Sequence, residues 1–438
     1  MRGWDRADRR VVAAMLLAAA PGALAGQEGP SATPHTPISY DITVVTSDTG
    51  AYLLGEVETG WQLQSVNPVE MELDSTMDVI RVLVDGKPNT RLSRTMYSRD
   101  SALVIVPHEK APGDTLTTRV RYHGIPVGGF RAGTDRSGAR AFAGSTAGAT
   151  GRLWLPMPKG TMGQATVTWN VQASEGQRVV ANGELTGIDT LNYGHSTWHF
   201  HTDKPIPLDA LAVAADHFAV TTLPHPGCRS GCVPVTLWTS PGDSAAVAAG
   251  AFRRAGEMAD WLATLLGPYP YRGLAHVAAI VAPEGRAGAS VVLYDERRVH
   301  AGQVSEREVA RATAAQWFEN VVRDSASRRG PSTHALVAYL AELWVRKSRS
   351  SPDAAAALPP DVSAVERLHQ QMGDSGFFRM VREREGRAEG RTSGQTGGRT
   401  GAQGGEAGMG VGTPHGRRLS GGRALDTARE LGKPVGAD

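Results

Sequence analysis

The chain has 438 residues, and its charge is almost balanced, with 46 Lys and Arg against 44 Asp and Glu. This balance gives no electrostatic reason to expect a nucleic-acid partner or an acidic membrane surface. After residue 25 the chain has no run of 18 apolar residues, so we expect no membrane-spanning helix in the mature protein. The length suggests two or three domains.

Residues 1–25 have the layout of a secretory signal peptide. Several arginines in the first ten residues precede an apolar run at 11–20, and Ala23-Leu24-Ala25 offers the small residues of a cleavage site. A short N-terminal anchor helix is the alternative. We predict cleavage after Ala25, a secreted or periplasmic protein, and a linker over residues 26–36.

The two cysteines are close in sequence. Cys228 and Cys232 are separated by three residues, among them Ser230 and Gly231, which favour a loop. In an oxidising compartment this spacing predicts a small disulfide-closed turn, with two free thiols as the alternative. Two cysteines alone cannot form a four-ligand zinc site.

Residues 37–222 are predicted to form β structure. Segments 40–46, 79–84, 102–106 and 116–122 are rich in β-branched residues with partial alternation of apolar and polar positions. Asp85-Gly86, Gly113-Asp114 and Asn182-Gly183 are typical of turns. Many short strands at this spacing predict an antiparallel sandwich or saddle.

Residues 223–385 are predicted to be mostly helical. Residues 244–266 show apolar residues at helical spacing and are followed by Gly267-Pro268. Ser305 and Glu308 predict a capping box at the start of a further helix, and another helix is expected over 333–347. From Gly386 the chain becomes rich in Gly and Arg, with 14 Gly in residues 386–422. We therefore predict a disordered tail over 386–438.

Seven short phrases occur in one order along about half of the chain. They are RLWLPMP at 152–158, VANGEL at 180–185, LAVAADHF at 211–218, LGPYPY at 266–271, QWF at 316–318, YLAELW at 339–344 and GDSGFF at 373–378. Together they resemble the zinc aminopeptidases of the aminopeptidase N (membrane alanyl aminopeptidase) type. The resemblance implies an α+β multidomain chain in which the β domain is followed by a thermolysin-like, or gluzincin, domain. Active relatives continue with a longer helical domain, which is not recognisable after about Arg384, so we expect a more open cleft.

Members of that family carry out metal-dependent peptide hydrolysis. Two His residues of an HExxH helix and a Glu on the next helix bind Zn²⁺, and the Glu of the motif acts as the base. A Gly-x-Met-Glu-Asn loop recognises the free amino group of the substrate, and a Tyr further along stabilises the oxyanion.

Aligned on Gln316-Trp317-Phe318, the family positions have lost this chemistry. The first His, the base, the second His and the third ligand correspond to Arg311, Ala312, Ala315 and His334. Aligned separately on residues 294–297, the amine-recognition loop falls at residues 285–288, and its Glu corresponds to Ala287. An arginine stays protonated and alanine has no donor atom, so we predict no zinc and no other cofactor.

Two further segments bear on the predicted chemistry. No Tyr follows Tyr339, and Leu358 lies near the position of the oxyanion Tyr. His108-Glu109 begins like a zinc motif, but it is predicted to lie between strands.

Three neighbouring histidines form a further candidate metal site. His199 and His201, with His195 before them, would share one face of a strand and could form a bidentate site. Exposed histidines of an ordinary strand are the simpler interpretation, as is a surface or packed role for His334.

Arg311 suggests a sharper hypothesis. Its guanidinium would lie where the zinc of active relatives lies and could hold a carboxylate, either a peptide C-terminus or Glu319 of its own helix. A side chain that only extends into solvent is the alternative.

The leading interpretation is an exported aminopeptidase-like pseudoenzyme with a peptide-binding or scaffolding role. The alternative is a divergent zinc metallo-aminopeptidase that combines His334 with unrecognised ligands. A decaying gene product without a selected function is the third hypothesis. The sequence carries no signal for the oligomeric state.

Overall fold

The structure is a computed structural model in which a large β region precedes a smaller mixed region. It describes residues 35–47, 50–88, 93–98, 101–106, 108–159, 163–226, 228–281, 286–318, 332–348 and 358–394, all within one compact unit. The predicted signal peptide, most of the predicted linker and residues 395–438 lie outside the described residues.

Besides four short 3-10 helices, the described elements are twenty-two strands and six α-helices. The strands are β1 Thr36–Thr46, β2 Leu53–Gln62, β3 Val69–Asp74, β4 Met77–Val84, β5 Lys87–Pro88, β6 Ser93–Ser98, β7 Ser101–Val106, β8 Thr115–Gly124, β9 Phe130–Thr134, β10 Arg140–Ser145, β11 Met157–Pro158, β12 Gln164–Ala173, β13 Arg178–Ala181, β14 Glu184–Thr190, β15 Ser196–His201, β16 Ile206–Pro207, β17 Ala212–Asp216, β18 Ala219–Thr222, β19 Val235–Thr239, β20 Leu274–Ala279, β21 Arg286–Ala287 and β22 Val291–Asp295. The helices are α1 Ser244–Ala249, α2 Ala255–Leu266, α3 Glu296–His300, α4 Glu306–Phe318, α5 Thr333–Ser348 and α6 Pro360–Gly394.

The β region consists of three sheets. A nine-stranded sheet has the order β14-β15-β12-β1-β2-β8-β4-β5, with β16 paired to β12. Two four-stranded sheets have the orders β13-β17-β10-β9 and β11-β3-β7-β6. The predicted antiparallel arrangement holds for the described strand pairs of these sheets, except that β1 and β12 are parallel.

Alternating side chains explain why these strands bury one face. In β12 every second residue, from Ala165 to Ala173, is buried, and the residues between them are more exposed. The tight turn between β4 and β5 lies at Asp85-Gly86, where both residues have positive φ angles of 48° and 76°. This conformation matches the predicted turn, because Asp and Gly tolerate positive φ better than other residues.

The second region contains a sheet as well as helices, so the prediction of a mostly helical domain is met only in part. Its five strands have the order β18-β19-β20-β22-β21. β18 precedes residue 223 but pairs with β19 of this sheet. The helix predicted over 244–266 is divided into α1 and α2, because the chain leaves the helical conformation at Gly250, where ψ is −136°.

The two helices that follow begin as predicted. The amide of Ser305 donates to Glu308 Oε2 at 2.9 Å and the amide of Glu308 donates to Ser305 Oγ at 3.2 Å, which is the predicted capping box before α4. α5 covers the helix predicted over 333–347. α6 bends at Gly373 and continues to Gly394, past the predicted start of the tail at 386, because extending an existing helix requires no new nucleation. No described helix has the length and apolarity needed to cross a bilayer.

A core of small residues joins the two regions. β10, β13 and β17 contribute residues such as Ala143, Val180 and Ala214, which pack against Val277 and Leu293 of β20 and β22. All five residues of β17 are buried. Because these side chains are short, the two sheets can approach closely along this junction.

Candidate functional site

Helices α4 and α5 carry Arg311, Ala315 and His334, the three residues predicted to replace zinc ligands, and they bring Arg311 and His334 into contact. A terminal guanidinium nitrogen of Arg311 lies 2.8 Å from Nδ1 and 3.0 Å from Nε2 of His334. It donates to whichever ring nitrogen carries no proton. Both side chains are exposed, so the pair lies at the surface of the helix packing.

The two alanines between these positions add no ligand. Ala315 is 2% exposed and packs in the core of the mixed region, and Ala312 packs beside that core. His334 is therefore the only one of the four positions with a nitrogen that could bind a metal, and Arg311 already donates to its ring. This donor set does not fit the Zn²⁺ of the family, which needs three protein ligands and a base.

A buried amide connects α4 with the segment that contains Ala287. Gln316 Nε2 donates to the carbonyl of Gly288 at 3.0 Å, and its Oε1 accepts from the amide of Ser290 at 2.8 Å. Ala287 lies on the edge strand β21 and pairs with Val292. Gln316 therefore holds the loop of the predicted amine-recognition position against the helix of Arg311.

Two further predictions from the sequence concern Glu319, proposed as a partner of Arg311, and Leu358, aligned near the position of the oxyanion Tyr. Glu319 lies outside the described residues. Leu358 is half-buried beside the helical core, and its carbonyl accepts from Ser363 Oγ at 3.2 Å. The observed partner of Arg311 is His334, a contact that the sequence did not predict.

Two groups of three potential metal ligands occur among the described residues. One consists of Cys228, Cys232 and Asp260, and the other of Asp135, Asp216 and Glu296. The two cysteines are joined in the predicted disulfide, so their sulfur atoms are not thiolate ligands. Neither group contains His334.

The histidine cluster of β15 does not converge on one point. His199 Nδ1 lies 2.7 Å from Asn170 Oδ1 and its Nε2 lies 3.2 Å from Asp189, whereas His201 Nδ1 contacts Thr168 Oγ1 at 3.0 Å. The two rings therefore have separate partners. His108 lies in the loop between β7 and β8, as predicted, and its ring packs edge-on against His35.

A cavity of about 310 Å³ lies apart from the Arg311–His334 pair. It is lined by the turn after β13, the end of β15 and the loop after α2, together with Ala289 and Ser290. Arg272 at its rim is held by Asp203 at 2.8 Å and by Glu184 at 3.4 Å. None of the residues at the five aligned family positions lines this cavity.

Asn182, at the base of this cavity, links three segments that the chain brings together from distant positions. Its Nδ2 donates to the carbonyls of Ala210 at 3.1 Å and Ala289 at 2.5 Å, and its Oδ1 accepts from the amide of Ala212 at 2.6 Å. The residue is 0% exposed. Asn182 therefore ties the β region to the loop after β21.

We expect Asn182→Ala to lower the free energy of unfolding by roughly 3 kcal/mol, because three buried backbone groups would lose their partner. Chemical denaturation of both proteins measures this change. Asn192→Ala, at an exposed position, is the control and should change stability by less than about 0.5 kcal/mol. Equal effects of the two substitutions would contradict the linking role of Asn182.

Sequence reasoning missed the buried carboxyl groups of Asp135, Asp216 and Glu296. They are 8%, 4% and 7% exposed, and their oxygens lie within 4.8 Å of one another. Each stands about 80 positions from the next in sequence, so no local spacing could have indicated them. Burial of an acidic residue is unusual and is the signal that the structure adds.

Comparison with known proteins gives a fold and no closer relationship. No protein-family model and no curated protein sequence matches the chain. An M1 zinc metallopeptidase from Deinococcus radiodurans has a TM-score of 0.66 and 19% identity, over 82% of this chain and 87% of that one. A mutant of the Deinococcus radiodurans enzyme bound to a Tyr-Ser-Ala substrate has a TM-score of 0.64 and 20% identity, over 80% and 86%.

A two-domain M1 zinc metallopeptidase mutant bound to L-arginine gives the same values, a TM-score of 0.64 and 20% identity over 80% and 86% of the two chains. At this level of identity the likeness concerns the fold alone. This chain therefore has the fold of the M1 zinc metallopeptidases, the architecture that its resemblance to aminopeptidase N implied.

Proposed function

We propose that this protein is an exported, non-catalytic peptide-binding protein built on an aminopeptidase-type fold. The observation that supports the proposal is the contact between Arg311 and His334, the two positions that the sequence alignment matches to zinc ligands of active relatives. A guanidinium and an imidazole at that place cannot activate water as a metal and a carboxylate base do.

The same pair supports a carboxylate as the group that is bound. Arg311 is exposed, and the contacts described for it involve one guanidinium nitrogen only. Its other N–H groups can donate in pairs to a carboxylate, which is the geometry that guanidinium groups favour. A peptide C-terminus supplies such a carboxylate, and one protein of the same fold binds a Tyr-Ser-Ala substrate.

We expect the purified protein to bind Tyr-Ser-Ala without cleaving it, and Arg311→Ala to weaken the binding by roughly tenfold or more, because a charge-assisted hydrogen bond is lost. Calorimetric titration measures the affinity, and amino-acid release measures turnover. The C-terminally amidated peptide should bind the wild-type protein as weakly as the free peptide binds the variant.

Arg367→Ala is the matched control, since Arg367 is an exposed arginine on α6. The proposal fails if the wild-type protein does not bind the peptide, or if Arg311→Ala leaves the affinity unchanged. Zinc-dependent release of the N-terminal residue would instead support the divergent metallo-aminopeptidase.

A further inference from the structure

Three buried carboxyl groups meet at the junction of the two regions. Asp135 lies in the turn between β9 and β10, Asp216 ends β17, and Glu296 begins α3. We call these three residues the carboxyl cluster. The first two belong to the β region and the third to the mixed region, so the cluster bridges the junction.

The hydrogen bonds that the carboxyl cluster accepts from neighbouring residues indicate which carboxyl group holds a proton. Asp135 accepts from the amide of Ala139 at 2.7 Å and from Ser137 Oγ at 2.7 and 2.9 Å. Asp216 accepts from one backbone amide, that of His217, at 2.7 Å. The oxygens of the three carboxyl groups lie within 4.8 Å of one another, and buried carboxylates this close together cannot all stay ionised, so one of them holds a proton. Asp216, with the fewer donors, is the better place for that proton.

The cations around the carboxyl cluster leave it with excess negative charge. Glu296 Oε2 accepts from the backbone amide of Arg136 at 3.3 Å, but the guanidinium of Arg136 is held by Asp243 at 2.6 Å. The ring of His217 lies 3.9 Å from Asp216 and is partly exposed. Other charged groups on the surrounding elements include Arg131 on β9, Arg140 on β10, Arg297 and Arg298 on α3, Arg178 opposite Asp216 on β13, and His300, which contacts Asp243 at 3.0 Å.

Burial and the neighbouring carboxyl groups change the ionisation of the carboxyl cluster. Burial, followed by Asp135 and Glu296, raises the pKa of Asp216 from 3.8 to about 7. Burial also raises the pKa of Glu296. Because the folded pKa of Asp216 lies above the unfolded one, its protonated form stabilises the fold fully below about pH 4, and this contribution is lost as the pH rises through about 7.

We propose that the carboxyl cluster is a proton-dependent latch, in which a proton on Asp216 holds α3 against the β9–β10 turn and its loss loosens the junction. Residues 301–305 connect α3 to α4, which carries Arg311. This proposal does not depend on peptide binding.

Amide hydrogen exchange of the full chain, corrected for intrinsic rates, tests the latch at about pH 6 and about pH 8.5. The amides of Arg136, His217 and α3 are expected to lose protection at the higher pH at least tenfold more than those of β12, because one pKa unit is tenfold in an equilibrium constant. Asp216→Asn keeps a permanent donor at this place, so its protection should be independent of pH. Asp361→Asn, at an exposed position on α6, should behave as the wild-type protein does.

Equal protection of the junction at both pH values in the wild-type protein would overturn the proposal, and so would a wild-type pH dependence in Asp216→Asn. If that variant does not fold, Glu296→Gln provides the second test, and it should reduce the pH dependence by removing one of the repelling charges.

Three carboxylates also suit a hard cation. If millimolar calcium restores protection at high pH in the wild-type protein and not in Glu296→Gln, the carboxyl cluster is a cation site and the latch is rejected.

Discussion

A variant with Arg311→His, Ala312→Glu, Ala315→His and His334→Glu is expected to bind about one zinc ion per chain, where the wild-type protein should bind about none. Two histidines four residues apart lie on one face of α4, so both rings can reach one ion. α5 supplies the third ligand, because the side chains at 311 and 334 are already 2.8 Å apart. Elemental analysis after dialysis against trace zinc gives the stoichiometry.

The control for this variant places the second histidine at the neighbouring position. Ala314 is 0% exposed and points into the helical core, so Ala314→His in place of Ala315→His should give no tight site. Ala315 is itself 2% exposed, and the larger side chain will cost some stability. A folded fourfold variant without zinc would show that these positions are not the family positions. One zinc ion per chain in the wild-type protein would also show that these positions are not the family positions.

The β region and its local signals were largely predictable from the sequence. The turn at Asp85-Gly86, the capping box before α4 and the disulfide between Cys228 and Cys232 each depend on residues a few positions apart. Local chemistry of this kind is visible in a linear sequence.

The sheet of the second region was missed for a physical reason. β20 pairs in parallel with both β19 and β22, and all six of its residues are buried. Strands that are buried on both faces lack the alternation of apolar and polar residues that marks an exposed sheet. A short apolar run such as residues 274–279 therefore could not be distinguished from part of a helix.

The candidate site, too, was predictable from the sequence only in part. The 19-residue count from Ala315 to His334 anticipated that α5 lies beside α4, but the direct bond from Arg311 to His334 depends on side-chain conformations that spacing cannot give. The carboxyl cluster and the Asn182 contacts join segments that are far apart in sequence. Only tertiary packing brings such residues together.

Trp154→Ala is expected to lower the free energy of unfolding by about 3–5 kcal/mol, because it would leave a cavity at the centre of the β core. This is the largest loss expected for any of the single substitutions proposed. The side chain of Trp154 is 0% exposed, and its ring centroid lies 5.1 Å from that of Phe130 and 6.4 Å from that of Trp169. Its Nε1 donates to the carbonyl of Ser145 at 3.2 Å. Urea denaturation followed by circular dichroism measures the change.

Two further variants distinguish the loss of the Trp154 hydrogen bond from a change in the packing around its ring. Trp154→Phe keeps an aromatic ring and loses the bond to Ser145, so we expect a smaller loss of about 1–2 kcal/mol. A Cβ added at Gly144 would lie 2.8 Å from Cη2 of Trp154, so Gly144→Ala should also destabilise the protein. A loss below about 1 kcal/mol for Trp154→Ala would contradict this account of the core. Because the small-residue junction joins the β core to the helical region, both regions should unfold in a single transition in each variant.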